Sequence, residues 1–143
     1  LELMFPNNYI NSSTERLKLY TQLNKICELD ELNLFKLELI DRFGTLPNVV
    51  VELLNSIELR WLAGALGFDK IVLKKNILIS YMMNFDSDEQ KKKIDKLFDY
   101  SKLNPNSISF SQKKLADGDR FIVKIKNIDS VSKAIKVLED INT

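Results

Sequence analysis

The side chains with most chemical potential in this chain are carboxylates and lysines. Glu38 and Asp41 stand three apart in "ELIDRFGTLP", a spacing that puts both on one face of a helix, and Glu31, two turns before Glu38, joins that face. Such a row has two physical options. Glu38 can pair with Arg42 four residues on, worth only about 0.3–0.5 kcal/mol, or the row can dock against a basic surface. A second acidic group, "DSDE" at Asp86–Glu89, resembles part of a calcium or magnesium loop. It lacks the glycine and the distal glutamate of an EF-hand, and capping of a helix N-terminus accounts for it. The lysines form runs: Lys91, Lys92, Lys93 with Lys96, then Lys113 and Lys114, then Lys124 and Lys126. They are candidates for nucleic-acid contact. Against this, the first run is interleaved with Asp88, Glu89, Asp95 and Asp99, and only four arginines are present. A solvated helix face and lysine-guarded edge strands are the competing reading.

The absences exclude more than the presences suggest. The 143 residues include no histidine and one cysteine, Cys27. No Ser-His-Asp or Cys-His arrangement can be built, no imidazole base is available, and no Cys/His zinc site closes within the chain. Neither GxxxxGK[ST] nor GxGxxG occurs, so no familiar phosphate cradle is expected. No catalytic residue, cofactor or metal site is therefore assigned. Cys27 reads as a small buried hydrophobe near a helix end. No apolar run approaches the ~18–20 residues of a membrane helix, and "LELMFPNNYI" has no basic leader. A reducing, cytoplasmic setting and a monomer are expected. The chain opens on Leu1, as expected of a piece of a longer protein. Its net charge of +1 hides a polarity: residues 1–67 hold 6 basic against 9 acidic residues, and residues 68–143 hold 15 against 11.

Those side chains must be positioned by regular elements. "MFPNNYI" predicts an extended entry with a turn at Asn7-Asn8. "SSTERLKLYTQLNKICEL" predicts a helix started by Ser12, Ser13 or Thr14, with the capping-box form Ser12-x-x-Glu15 and a stripe of Leu17, Tyr20, Leu23, Ile26 and Cys27. "DELNLFKLELIDRFG" predicts a second helix with a broad apolar face of Leu32, Phe35, Leu37, Leu39, Ile40 and Phe43. Gly44 should stop it in the left-handed conformation and Pro47 should take the first position of the next helix. Phe43, Gly44, Leu46 and Pro47 thus form a structural corner, with Leu46 as a wedge. "PNVVVELLNSIELRWLAGALG" is apolar almost all round, predicting a helix buried on most sides, and Gly67 stops it.

Beyond Gly67 the period changes. "FDKIVLKKNILISYMM" predicts a hairpin turning at Lys74–Asn76, and "SDEQKKKIDKLFDYSKL" a helix with Ile94, Leu97 and Phe98 inward. "SISFSQKK" and "RFIVKIK" predict strands joined through Ala116–Asp119. A last helix from about Asp129 carries Val131, Ala134, Ile135, Leu138 and Ile141 on one stripe. The expected fold class is α+β. An N-terminal helical subdomain of three helices packs on a small antiparallel sheet with two further helices, ordered ββα-ββα. A single domain over 1–143 is expected, with subregions 1–67 and 68–143. The repeated ββα order raises the question of an internal duplication, although no motif repeats.

Taken together, "FPNNYI", "ERLKLYTQL", "ELIDRFGTLP" and "LRWLAGALG" resemble the C-terminal domain of the bacterial transcription-repair coupling factor (Mfd) family. The matching positions include Pro6, Tyr9, Ile10, Arg16, Leu17, Tyr20, Leu23, Glu38, Asp41, Arg42, Phe43, Gly44, Pro47, Arg60, Ala63, Leu66 and Gly67. The match covers roughly residues 5–70, and the later half carries no motif of the family. The resemblance implies a parent that is a multidomain ATP-dependent DNA translocase, using ATP and Mg in upstream domains. That parent removes stalled RNA polymerase and recruits the excision-repair protein UvrA. The domain itself is implied to be a non-catalytic regulatory module. It would dock on the UvrB-like N-terminal region of the same polypeptide through Glu38 and Asp41, masking UvrA binding and restraining the motor. The alternative is a nucleic-acid-binding module using the lysine-rich later half.

Overall fold

The computed structural model describes residues 3–143 of the chain. Among these residues the elements run α1 (Ser13–Asn24), α2 (Leu29–Phe43), α3 (Asn48–Ala65), β1 (Lys70–Lys74), β2 (Ile77–Met82), α4 (Asp88–Leu103), β3 (Ile108–Leu115), β4 (Gly118–Ile125) and α5 (Val131–Asn142). The fold is α+β, as the periodicities predict. The backbone divides into two compact units within α3, at Glu58–Leu59, rather than at Gly67.

In the first unit, Ser12 caps α1 by accepting from the Glu15 N–H at 3.2 Å. The core of α1 is Leu19, Leu23 and then Ile26. Leu17, expected inward, is exposed, and so is Cys27, which lies beyond the helix end and donates to the Lys25 carbonyl. On α2 the buried stripe narrows to Leu32, Phe35 and Leu39, and Leu37 and Ile40 face water. The corner also differs in detail. Gly44 has φ 92°, ψ −166°, which is the extended mirror-image region and not the left-handed helical one. Its N–H still closes α2 on the Ile40 carbonyl at 2.9 Å. Pro47 precedes the first helical residue of α3, and its carbonyl accepts from Val50 and Val51. It therefore serves as the N-cap, one position earlier than predicted.

The second unit begins with the last turns of α3. Gly67, at φ 88°, closes that helix with a complete Schellman motif: Phe68 N–H reaches Ala63 O and Gly67 N–H reaches Gly64 O, both at 3.0 Å. Gln90, on α4, then donates to the carbonyls of Gly67 (3.1 Å) and Met83 (3.0 Å), tying the helix end to the loop after β2. The sheet order is β1-β2-β4-β3, antiparallel throughout. The β1–β2 loop is the two residues Lys75-Asn76, both at positive φ as a type I′ turn requires, so Lys74 belongs to the strand. Likewise Ala116-Asp117 alone connect β3 to β4, and α5 starts at Val131 behind the cap Ser130.

Register assigns the two faces of the sheet. Leu73, Leu78, Met82, Phe110, Phe121, Val123 and Ile125 share one face with the buried Ser80. This is the helix-bearing face. Phe98 of α4, itself half out to solvent, meets Phe110 edge-on at 4.9 Å, and α5 packs beside α4. Ile77, Ile79 and Tyr81 take the opposite face. Each ββα half contributes its first strand to an edge and its second to the centre, the arrangement a two-fold axis between β2 and β4 would generate.

Candidate functional site

The entry segment and the corner after α2 form one construction. Phe5 is buried against Tyr20 and Phe35, at ring distances of 4.8 and 6.5 Å. The Tyr20 hydroxyl accepts from the Phe5 N–H at 2.8 Å. Pro6 starts a turn whose carbonyl accepts from Tyr9 and Ile10. The Tyr9 hydroxyl then lies 2.8 Å from the Gly44 carbonyl, just past the end of α2, and 3.2 Å from that of Leu39 in its last turns, offering its proton to these backbone oxygens. Burial raises the Tyr9 phenol above its ordinary pKa. Arg16 donates to the Ile10 carbonyl at 2.6 Å. Arg42 lies over the Phe43 ring at 4.8 Å and pairs with Glu15. Glu15 therefore completes only half of its capping box, its carboxylate being taken by Arg42. So Pro6, Tyr9, Arg16, Arg42, Phe43 and Gly44, separate in sequence, serve one purpose: they set the direction of the C-terminal half of α2.

That half of α2 carries the predicted acids. Glu31, Glu38 and Asp41 are all exposed on one side of the helix. Glu38 is engaged within the chain, accepting from Gln22 at 3.4 Å and lying 3.7 Å from Arg42. This is the internal pairing that spacing allows, and with both side chains about 40% exposed it contributes at most a few tenths of a kcal/mol. Asp41 and Glu31 make no ion pair among the described residues. Glu31 and Glu38 also line one wall of a groove of about 500 Å³ between α1 and α2. Lys18, Gln22 and Lys25 stand on its other wall, and Ile26 and Phe35 contribute from the core.

Sequence reasoning missed the apolar part of this surface. Leu34 is 67% exposed, Leu37 62% and Ile40 45%, all on the solvent side of α2 beside the acids. The signal was present as an excess: seven of the twelve residues from Leu29 to Ile40 are apolar, more than one buried stripe can use. The predicted corner residues Phe43, Leu46 and Pro47 are half-buried, and Gly44 is exposed.

The lysines predicted for nucleic acid are not gathered into one patch. Lys91, Lys92 and Lys96 are exposed on α4, and Lys93 is half-buried and paired with Glu89 at 3.5 Å. Asp86–Glu89 flank the start of α4, where Ser87 accepts from the Gln90 N–H at 3.2 Å, which is the capping role. Among the described residues no group of three or more His, Cys, Asp or Glu is placed to hold a metal ion, and no helix is long and apolar enough to cross a membrane.

Comparison with known proteins adds the family. The TRCF domain model matches residues 1–97. The transcription-repair-coupling factors of Rickettsia typhi and Rickettsia prowazekii are 29% and 28% identical over 119 residues, 82% of this chain and 11% of theirs. That of Haemophilus influenzae is 37% identical over 68 residues, 48% of this chain and 6% of its own. The chain thus spans about a tenth of the length of the Rickettsia relatives (11%). A crystal structure of the C-terminal domain of transcription-repair coupling factor superposes with a TM-score of 0.67 at 16% identity, covering 99% of this chain and 88% of that one. The chain belongs to the TRCF domain family, and its fold is that of the C-terminal domain of transcription-repair coupling factor.

Proposed function

We propose that this domain is a non-catalytic docking module within a longer coupling-factor polypeptide. Its outer α2 face binds a basic, partly apolar surface on the UvrB-like region of the same chain. Docked, it masks the UvrA-binding surface and restrains the ATP-driven translocase that acts on stalled RNA polymerase. The observation that carries this reading is the company the acids keep: Leu34, Leu37 and Ile40 are exposed beside Glu31, Glu38 and Asp41. Exposed ion pairs contribute only about 0.2–1 kcal/mol each. Covering a leucine contributes about 1.5–3 kcal/mol when burial is complete. Leucines supply the adhesion and carboxylates the choice of partner, a division suited to a contact that must also release.

The test is a pair of variants in the full-length protein. Glu38→Lys with Asp41→Lys reverses the charge, and Leu34→Ser with Leu37→Ser removes the adhesion. Both are expected to raise UvrA binding and DNA-stimulated ATP hydrolysis over the unsubstituted protein. If both variants leave these unchanged while the domain stays folded, the docking role of α2 is wrong.

A further inference from the structure

The sheet face turned away from α4 and α5 has an uneven charge. By register it carries Lys70, Val72 and Lys74 of β1 and Ile77, Ile79 and Tyr81 of β2. It also carries Arg120, Ile122 and Lys124 of β4, and Ser109, Ser111 and Lys113 of β3. No acidic residue of the four strands lies on it; the one strand acid, Asp119, pairs with Lys114 in register on the other face. Arg120 is buried and neutralised by Asp69 and Asp117 at 3.3 and 2.9 Å. Lys70, Lys74, Lys113 and Lys124 are exposed and make no ion pair among the described residues, as is Lys126 just past β4 on the same side. The acids of this unit sit mainly on α4, α5 and their flanks, the other layer.

Edge protection explains lysines on β1 and β3, since both are edge strands. It does not explain Lys124, which is on an inner strand with both neighbours paired. We infer that this face binds the phosphate backbones of duplex DNA. Lys124 stands two strands from β1 and level with Val72, so Lys70 and Lys74, two residues to either side, are each about 12 Å from it; Lys113, three strands over and two residues beyond the level of Lys70, is about 16 Å from Lys70 and about 25 Å from Lys74. A major groove is about 12 Å wide, so lysines on opposite sides of the face can reach the two backbones bordering one groove. Between them lies an apolar strip of Val72, Ile79 and Ile122 that needs no base contact. Tyr81, the aromatic residue of this face, is half-buried with the Lys70 ammonium 5.4 Å from its ring, so it offers no free stacking platform for single strands. The contact is electrostatic and independent of base sequence. It uses none of the α2 residues, so it stands or falls separately from the docking role.

The test is fluorescence anisotropy of this chain with a labelled 20-base-pair duplex between 50 and 200 mM salt. Up to five lysine–phosphate contacts predict a slope of log K against log salt of about −4. The Lys74→Gln/Lys124→Gln variant should lose on the order of 10- to 100-fold in affinity at 0.1 M salt and flatten the slope by about 2. The Lys91→Gln/Lys92→Gln variant on α4 should bind as the parent does. Both pairs are exposed, so folding is expected to survive, and circular dichroism checks it. Absence of binding at 50 mM salt overturns the inference. So does loss in the α4 variant with retention in the sheet variant, or equal binding of poly-glutamate, which would indicate an acidic protein partner.

Discussion

The corner at Gly44 allows a sharp test, because its backbone angles separate two kinds of glycine requirement. In a left-handed helical cap, asparagine is a tolerated substitute. At φ 92°, ψ −166° it is not, since that region is closed to every residue with a Cβ. No atom lies within 4 Å of where a Cβ would stand, so packing contributes nothing and the whole cost is conformational. Gly44→Ala is therefore expected to destabilise by about 1–3 kcal/mol, lowering Tm by about 3–9 °C for a chain of this size. Gly44→Asn should cost as much as alanine. Thermal and urea unfolding followed by circular dichroism measure both. Recovery by asparagine of most of the alanine loss, or a neutral alanine, would refute the reasoning, since either result places Gly44 in a conformation other than the one described.

Three further predictions follow from contacts already described. Asp69→Asn, which removes the better-buried partner of Arg120, should cost about 1–2 kcal/mol in urea unfolding, while Asp117→Asn, at an exposed partner, should cost under about 1 kcal/mol. A Cβ on Gly67 would stand 2.3 Å from Gln90 Oε1. Gly67→Ala should therefore destabilise in two ways, through backbone strain at φ 88° and by displacing the Gln90 amide from the Gly67 and Met83 carbonyls; the second part alone should vanish in the Gly67→Ala/Gln90→Ala double variant, a non-additivity that a mutant cycle reads directly. The raised pKa of Tyr9 means that its folded form resists ionisation more than its unfolded form. Its stabilisation is complete below the unfolded value near 10 and is lost as pH rises through the folded one, so Tyr9→Phe should flatten the decline of stability at alkaline pH while costing about 1 kcal/mol at neutrality.

How far the fold was legible depended on how many solutions each pattern allowed. Ser12 and the Asp86–Glu89 group cap helices by local chemistry, and local chemistry is readable. Lys75-Asn76 sits between two apolar alternations, so the hairpin had one plausible centre. Helix α2 was harder, because its surplus of leucines fits several stripes, and only the geometry of α1 and the entry segment selects Leu32, Phe35 and Leu39. Leu37 and Ile40 were therefore misassigned inward, and the outward apolar surface beside Glu38 went unseen. The acids themselves were read from spacing and resemblance together. Cys27 was misplaced because α1 ends at Asn24 and the stripe does not continue into the turn. The burial of Arg120 was invisible for another reason: its partners come from the start of β1 and the β3–β4 turn, and strand order decides that they meet.

That strand order also has a kinetic consequence. The β1–β2 and β3–β4 hairpins close over two-residue loops, and each can form within microseconds. The β2–β4 ladder joins Leu78 to Ile125 and Met82 to Phe121 across the whole of α4 and the β3 hairpin arm. It is the one seam between the two ββα halves of the sheet, and its closure entropy must be met before any of its contacts form. The folding rate of this unit should therefore follow substitutions at Ser80, Val123 and Ile122 more closely than substitutions in either turn. A ribosome releasing this chain would hold a finished β1–β2 hairpin with its inner strand β2 unpaired, and β3 with no partner, until β4, the last strand made, emerged to join both.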